Sequence, residues 1–72
     1  MTRRLRRITG SELIRILRRH GFEVFDQRGS HVHLKDARGT RLTVPVHAGR
    51  TIGPGLLLAI VKHAGIDPDT LR

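Results

Sequence analysis

The chain has 72 residues, with 14 Lys and Arg against 6 Asp and Glu, a formal net charge of +8 and no cysteine. That length allows one small domain, which buries only about 60% of the surface its unfolded form exposes. A multi-domain enzyme with its own cofactor domain is excluded, and so are a disulfide scaffold and a thiolate metal site. No apolar run approaches the roughly 20 residues that span a bilayer. Twelve of the cations are arginines, and such an excess repels itself and favours a polyanionic partner. Nucleic acid ranks first, an anionic membrane surface second and an acidic protein third. The basic start Thr2-Arg3-Arg4-Leu5-Arg6-Arg7 leads into no apolar h-region, so a cytoplasmic chain is expected rather than a secreted one.

In chain order, residues 1–8 read as a basic tail and 9–72 as a single domain. Thr9-x-x-Glu12 has capping-box spacing. Leu13, Ile14, Ile16 and Leu17 then form one helical stripe, with Arg15, Arg18 and Arg19 on the other side. Gly21 supplies a left-handed stop, so the first helix is expected over Gly10 to His20.

Three alternating segments follow. Phe22 with Val24, Val32 with Leu34, and Leu42 with Val44 and Val46 each share a face, as strand periodicity requires. Residues directly opposite in an antiparallel pair point the same way. Matching Leu34 with Leu42 and Val32 with Val44 leaves Ala37-Arg38-Gly39 as a loop. Matching Phe22 with Leu34 and Val24 with Val32 leaves Gln27-Arg28-Gly29. Both are three-residue loops ending in glycine, a common hairpin form. Pro45 cannot donate to a ladder, so the third strand is expected at an edge. Residues 47–53 read as a loop. Pro54 suits a first helical position, Leu57, Ile60, Val61 and Ala64 repeat at helical spacing, and Gly65 ends the second helix. Asp67-Pro68 can cap one further turn. The reading is α+β in the order α-β-β-β-α: a three-stranded antiparallel sheet with both helices on one face.

The other face of the sheet is then bare. The same register puts Phe25, His31 and Pro45 in one cross-strand row and Glu23, His33 and Thr43 in the next. Lys35 shares that side, Arg28 and Arg41 lie close by, and Arg41 and His47 extend the third strand at its two ends. His31 is the candidate catalytic residue. It follows Gly29-Ser30, a turn where backbone can approach a phosphate closely, and imidazole exchanges a proton near neutral pH. RNA supplies a matching substrate, because its 2′-hydroxyl, once deprotonated, attacks the adjacent phosphorus. Arginines would hold the phosphate and offset the charge that develops. Phe25, expected beside His31, is placed either to disfavour the imidazolium or to stack a base.

Other readings compete. His31 can be an ordinary exposed strand residue. His31-x-His33 with His47, and Glu23 as the only well-placed carboxylate, can be read as a metal site; the expectation here is no metal and no cofactor. His20 and His63 suit the negative ends of helices. The arginine run at Arg3-Arg4-Leu5-Arg6-Arg7 reads as a solvated tail that can join Arg15, Arg18 and Arg19 in a basic stripe. The glycines at 49, 53 and 55 match neither a Walker loop nor a dinucleotide fingerprint. With only two aromatics, Phe22 and Phe25, backbone and shape contacts are expected to outweigh base-by-base readout.

Four stretches together resemble the HicA toxin family, also called YcfA-like. They are Gly10-Ser11-Glu12-Leu13-Ile14-Arg15-Ile16-Leu17 through Gly21-Phe22, Gln27-Arg28-Gly29-Ser30-His31, Val44-Pro45-Val46-His47, and Leu58 to Ile66. The resemblance runs from about Thr9 to Ile66. It implies a small ribonuclease of a type II toxin–antitoxin pair, with a fold like the double-stranded-RNA-binding domain. Such toxins are mRNA interferases: they cleave messenger RNA and arrest translation, with no known cofactor. It places the catalytic histidine at His31; the turn and the strand register add Arg28, Gly29, Ser30, His33, Lys35, Arg41 and His47 as candidate RNA contacts. The resemblance also implies a HicB-type antitoxin that covers the site. Many members carry a second histidine directly after the first and an aromatic two positions later. Here those positions are Val32 and Leu34, and the second histidine is displaced to His33. A non-catalytic RNA- or DNA-binding module of the same fold is the alternative, and a structural subunit that docks an acidic partner is a third.

Overall fold

The computed structural model describes residues 5–71. Arg3 and Arg4 of the arginine run lie outside the described residues. The order is helix α1 (Gly10–Arg19), strands β1 (Glu23–Arg28), β2 (His31–Lys35) and β3 (Arg41–Pro45), helix α2 (Pro54–His63) and a short 3-10 helix (Pro68–Leu71). The strands form one antiparallel sheet in the order β1-β2-β3. The α-β-β-β-α order expected from the sequence is the observed one, and β3 is an edge strand.

Helix α1 opens on a capping box. The Thr9 N–H donates to Glu12 Oε1 at 3.0 Å, and the Glu12 N–H donates to Thr9 Oγ1 at 3.2 Å. Two otherwise orphaned donors are thereby satisfied. Both helices close with one device. After α1, Gly21 (φ +93) donates to the Arg18 carbonyl and Phe22 to the Leu17 carbonyl. After α2, Gly65 (φ +76) donates to Lys62 and Ile66 to Val61. This is the Schellman pairing, in which the residue after the glycine packs back on the last turn. Phe22 and Leu17 are both buried, as are Ile66 and Val61.

The core joins Leu13 and Leu17 of α1, Leu57, Ile60 and Val61 of α2, and Val32, Leu34, Leu42 and Val44 of the sheet. Those sheet residues alternate along β2 and β3, so both helices cover a single face. Burying each such side chain fully stabilises the fold by about 1.5–3 kcal/mol. Gly10 lets α1 start hard against the end of β3. A Cβ there would lie 2.3 Å from the Pro45 carbonyl oxygen.

Residues 5–8 run beside the domain. Leu5 packs on the core and Ile8 is buried. The Ile8 carbonyl accepts from Ile52 at 2.8 Å, Thr9 pairs with Thr51, and the Arg6 N–H donates to the Leu71 carbonyl. Among the described residues, no helix is long and apolar enough to cross a membrane.

The two hairpins differ from each other. Between β2 and β3 the expected register holds: Leu34 faces Leu42 and Val32 faces Val44, around Ala37-Arg38-Gly39. Asp36 Oδ1 accepts from the N–H groups of Arg38 (3.0 Å) and Thr40 (2.9 Å), and Gly39 takes φ +87. Between β1 and β2 the expected register fails. Val24 faces Leu34, Gln27 faces Val32 and Arg28 faces His31, with a bulge between Val24 and Asp26. The loop is Gly29-Ser30, not Gln27-Arg28-Gly29.

The cause lies at both ends of β1. The helix stop claims Phe22, which is 1% exposed but lies before the strand. At the other end Gly29 takes φ +56 in the first central position of a two-residue turn, where a II′ hairpin needs a positive φ. The bulge absorbs the extra residue. Val24, expected in the core, is 45% exposed, because the helices pack on β3 and leave β1 uncovered.

Candidate nucleic-acid interface and active site

The uncovered face is built from the residues that alternate with the core set. Across β2 and β3, His31 faces Pro45, His33 faces Thr43 and Lys35 faces Arg41. The Val46 N–H donates to the Ser30 carbonyl at 2.7 Å. That bond makes His31–Pro45 a non-hydrogen-bonded pair, and the same holds for every second pair along the ladder. Side chains stand closer in such pairs. All three open-face pairs belong to this closer class. His33 shows the result, with Nδ1 2.9 Å from Thr43 Oγ1.

The Ser30–Val46 bond also explains why two separate stretches of sequence act as one unit. Gly29-Ser30-His31 and Val44-Pro45-Val46-His47 are cross-strand neighbours. The turn presents His31 on the solvent side, and its side chain is exposed. Arg28 stands opposite it on β1. The Arg28 guanidinium meets Asp26 Oδ2 at 3.3 Å, with both side chains well exposed. Such a surface pair is worth about 0–1 kcal/mol, so a phosphate can displace it.

The bulge changes the β1 side of this face. Phe25 was expected in the row of His31. It lies instead against His33, with ring centroids 6.2 Å apart and planes at 39°. Glu23, expected opposite His33, faces Lys35. In a bulge two residues oppose one, so Phe25 and Asp26 share the place opposite His33. Lys35 Nζ lies 5.2 Å and the Arg41 guanidinium carbon 5.3 Å from the centre of the Phe25 ring.

Arg28, His31, His33, Lys35 and Arg41 therefore occupy one face, with Gly29-Ser30 as the turn at its end. His47 is exposed in the loop beyond β3, one residue past the Ser30–Val46 bond, and its carbonyl accepts from Arg50 at 2.9 Å. His31, His33 and His47 do not converge as ligands. Among the described residues, no three His, Cys, Asp or Glu side chains are grouped to hold a metal ion.

Two carboxyls elsewhere are held below the ordinary carboxylate range. For Glu12 the leading cause is the Thr9 backbone N–H, joined by the Thr9 hydroxyl. At Asp36, burial is the largest influence and pushes upward. It is outweighed by the Thr40 N–H, the Arg38 guanidinium and the Arg38 N–H together. Arg38 Nε sits 3.0 Å from Asp36 Oδ2, and Nη2 reaches the Ala64 carbonyl at 3.4 Å. The turn between β2 and β3 is thereby tied to the end of α2, where a cation suits the helix dipole.

Fold and face together define a small α+β protein whose open sheet carries an exposed histidine among cations. Residues 10–66 match the family described as the HicA toxin of bacterial toxin–antitoxin systems. The chain belongs to the HicA toxin family, and so is a toxin of a toxin–antitoxin system. Comparison with curated proteins gives no match.

Proposed function

We propose that the chain is an endoribonuclease that cleaves messenger RNA without a metal ion, using His31 as its acid and base. The observation that carries this reading is the exposed imidazole directly after the Gly29-Ser30 turn, on a face shared with Arg28, His33, Lys35 and Arg41. His31 takes the proton of a 2′-hydroxyl. The 2′-oxygen bonds to phosphorus and the bond from phosphorus to the 5′-oxygen breaks. The proton passes to that 5′-oxygen, leaving a 2′,3′-cyclic phosphate and a free 5′-hydroxyl. Arg28 and the neighbouring cations balance the extra negative charge on the phosphate. A HicB-type antitoxin silences the toxin by covering this face.

The test compares wild type with His31→Ala, induced with and without a co-expressed HicB-type antitoxin and scored for growth and RNA integrity. The variant should lose about 100- to 10,000-fold in cleavage rate and stop arresting growth, while keeping its fold and RNA affinity. If His31→Ala cuts as fast as wild type, His31 is not the acid and base; if neither protein cuts while both bind RNA, the face binds RNA without the chemistry. If EDTA stops the purified protein from cutting, the metal-free mechanism is wrong.

A further inference from the structure

We infer that Phe25, with Lys35 and Arg41 over its ring, is a base-stacking subsite for a nucleotide beside the scissile one in single-stranded RNA. The inference rests on the RNA-cleaving reading above and adds a second point of contact to it. Three observations meet at this ring. It is 43% exposed on the face that carries His31. The bulge of β1 places it opposite His33, two residues along β2 from His31, which is about 7 Å at the usual strand rise. That is roughly the reach of one extended nucleotide.

The third observation is the charge around it. Lys35 and Arg41 face each other across the strands in one of the closer pairs, and like charges placed so are destabilising. Among the described residues neither has a carboxylate partner within 4.0 Å, whereas Arg28 and Arg38 each have one. Glu23 faces Lys35 from β1 without forming an ion pair, and the group that both cations approach is the Phe25 ring, at 5.2 and 5.3 Å. A phosphate chain relieves that repulsion, and the ring offers its neighbouring base a flat apolar surface. His33, fixed by Thr43 and leaning on the ring, serves here as a positioning residue. Stacking of this kind tolerates any base, since every base has a π face.

The experiment titrates wild type and Phe25→Leu with a fluorescent single-stranded 2′-O-methyl RNA, which has no 2′-hydroxyl to react. It uses the intact strand and a series each lacking one base. Phe25→Leu should bind the intact strand about ten-fold more weakly. One missing base should cost wild type the same factor and cost Phe25→Leu nothing. The dependence of log affinity on log salt should stay unchanged in Phe25→Leu and become shallower by about 0.7 in Lys35→Gln. Thermal melting of Phe25→Leu checks that the fold is kept.

Equal affinity of Phe25→Leu and wild type overturns the subsite, and the nuclease reading survives if unmodified RNA is still cut. Lost affinity for the antitoxin, with RNA affinity intact, also overturns it and assigns the ring to a protein partner. Wild type that binds no RNA overturns both.

Discussion

The two faces of the sheet come from the same strands, yet they obey opposite rules. On β2, Val32 and Leu34 are buried, His33 between them is half-buried, and His31 and Lys35 on either side stand in water. On β3, Leu42 and Val44 are buried, and Arg41 and Thr43 are not. The covered face is apolar and closely packed against two helices. The open face sets Lys35 against Arg41, and no helix shields them. One face therefore supplies the stability that lets the other hold an unfavourable arrangement.

The sharpest way to break this contrast is to alter one residue on each face of the same strand. Leu34 is 0% exposed, and Leu34→Ala should destabilise by about 2–5 kcal/mol, enough to unfold much of so small a domain. His31→Ala, three positions earlier on the other face, should melt as wild type does and lose only chemistry. Chemical denaturation of the two variants side by side checks this, and equal stability loss in both would erase the distinction between the faces. A smaller effect comes from the start of α1. Thr9→Ala removes the hydroxyl that caps Glu12 and should cost about 1 kcal/mol, with cleavage unchanged, as measured by the same denaturation curves and an RNA assay.

The smallest effect is a pH dependence at the turn between β2 and β3. The Asp36 carboxyl is depressed in the folded protein, so its contribution is fully present above the unfolded value of about 3.9 and is lost as pH falls through the lower folded value. Glu12 acts in the same direction from about 4.3. Melting temperature should therefore be level from pH 7 to pH 5 on their account and fall below about pH 4. Asp36→Asn should flatten part of that fall. Identical pH profiles for variant and wild type would remove Asp36 from the explanation.

The same contrast shows what could be read without coordinates. The β2–β3 hairpin was legible because two signals agreed, the alternation of Val32, Leu34, Leu42 and Val44 and the glycine at position 39. The β1–β2 register is not legible from alternation, because the apolar pattern puts Phe22 in the strand. Gly21-Phe22 after Leu17 repeats Gly65-Ile66 after Val61, and that parallel marks Phe22 as part of a helix end. Gly29-Ser30 is itself a two-residue turn signal. Taken together they leave one residue too many in β1, but nothing local says where the bulge falls. The exposed position of His31 followed from alternation alone. Its neighbours on β1 did not, since a bulge moves Phe25 from the row of His31 to that of His33.

Pro45 carries a last consequence. Its partner across the ladder is His31, at a position where β3 turns its amide outward from the sheet, and proline has no N–H to offer there. The outer rim of the sheet is thus blunted beside the candidate catalytic histidine, and an extended segment aligning along β3 loses its hydrogen-bond register at that point. Whatever engages this corner must do so through side chains rather than by adding a fourth strand.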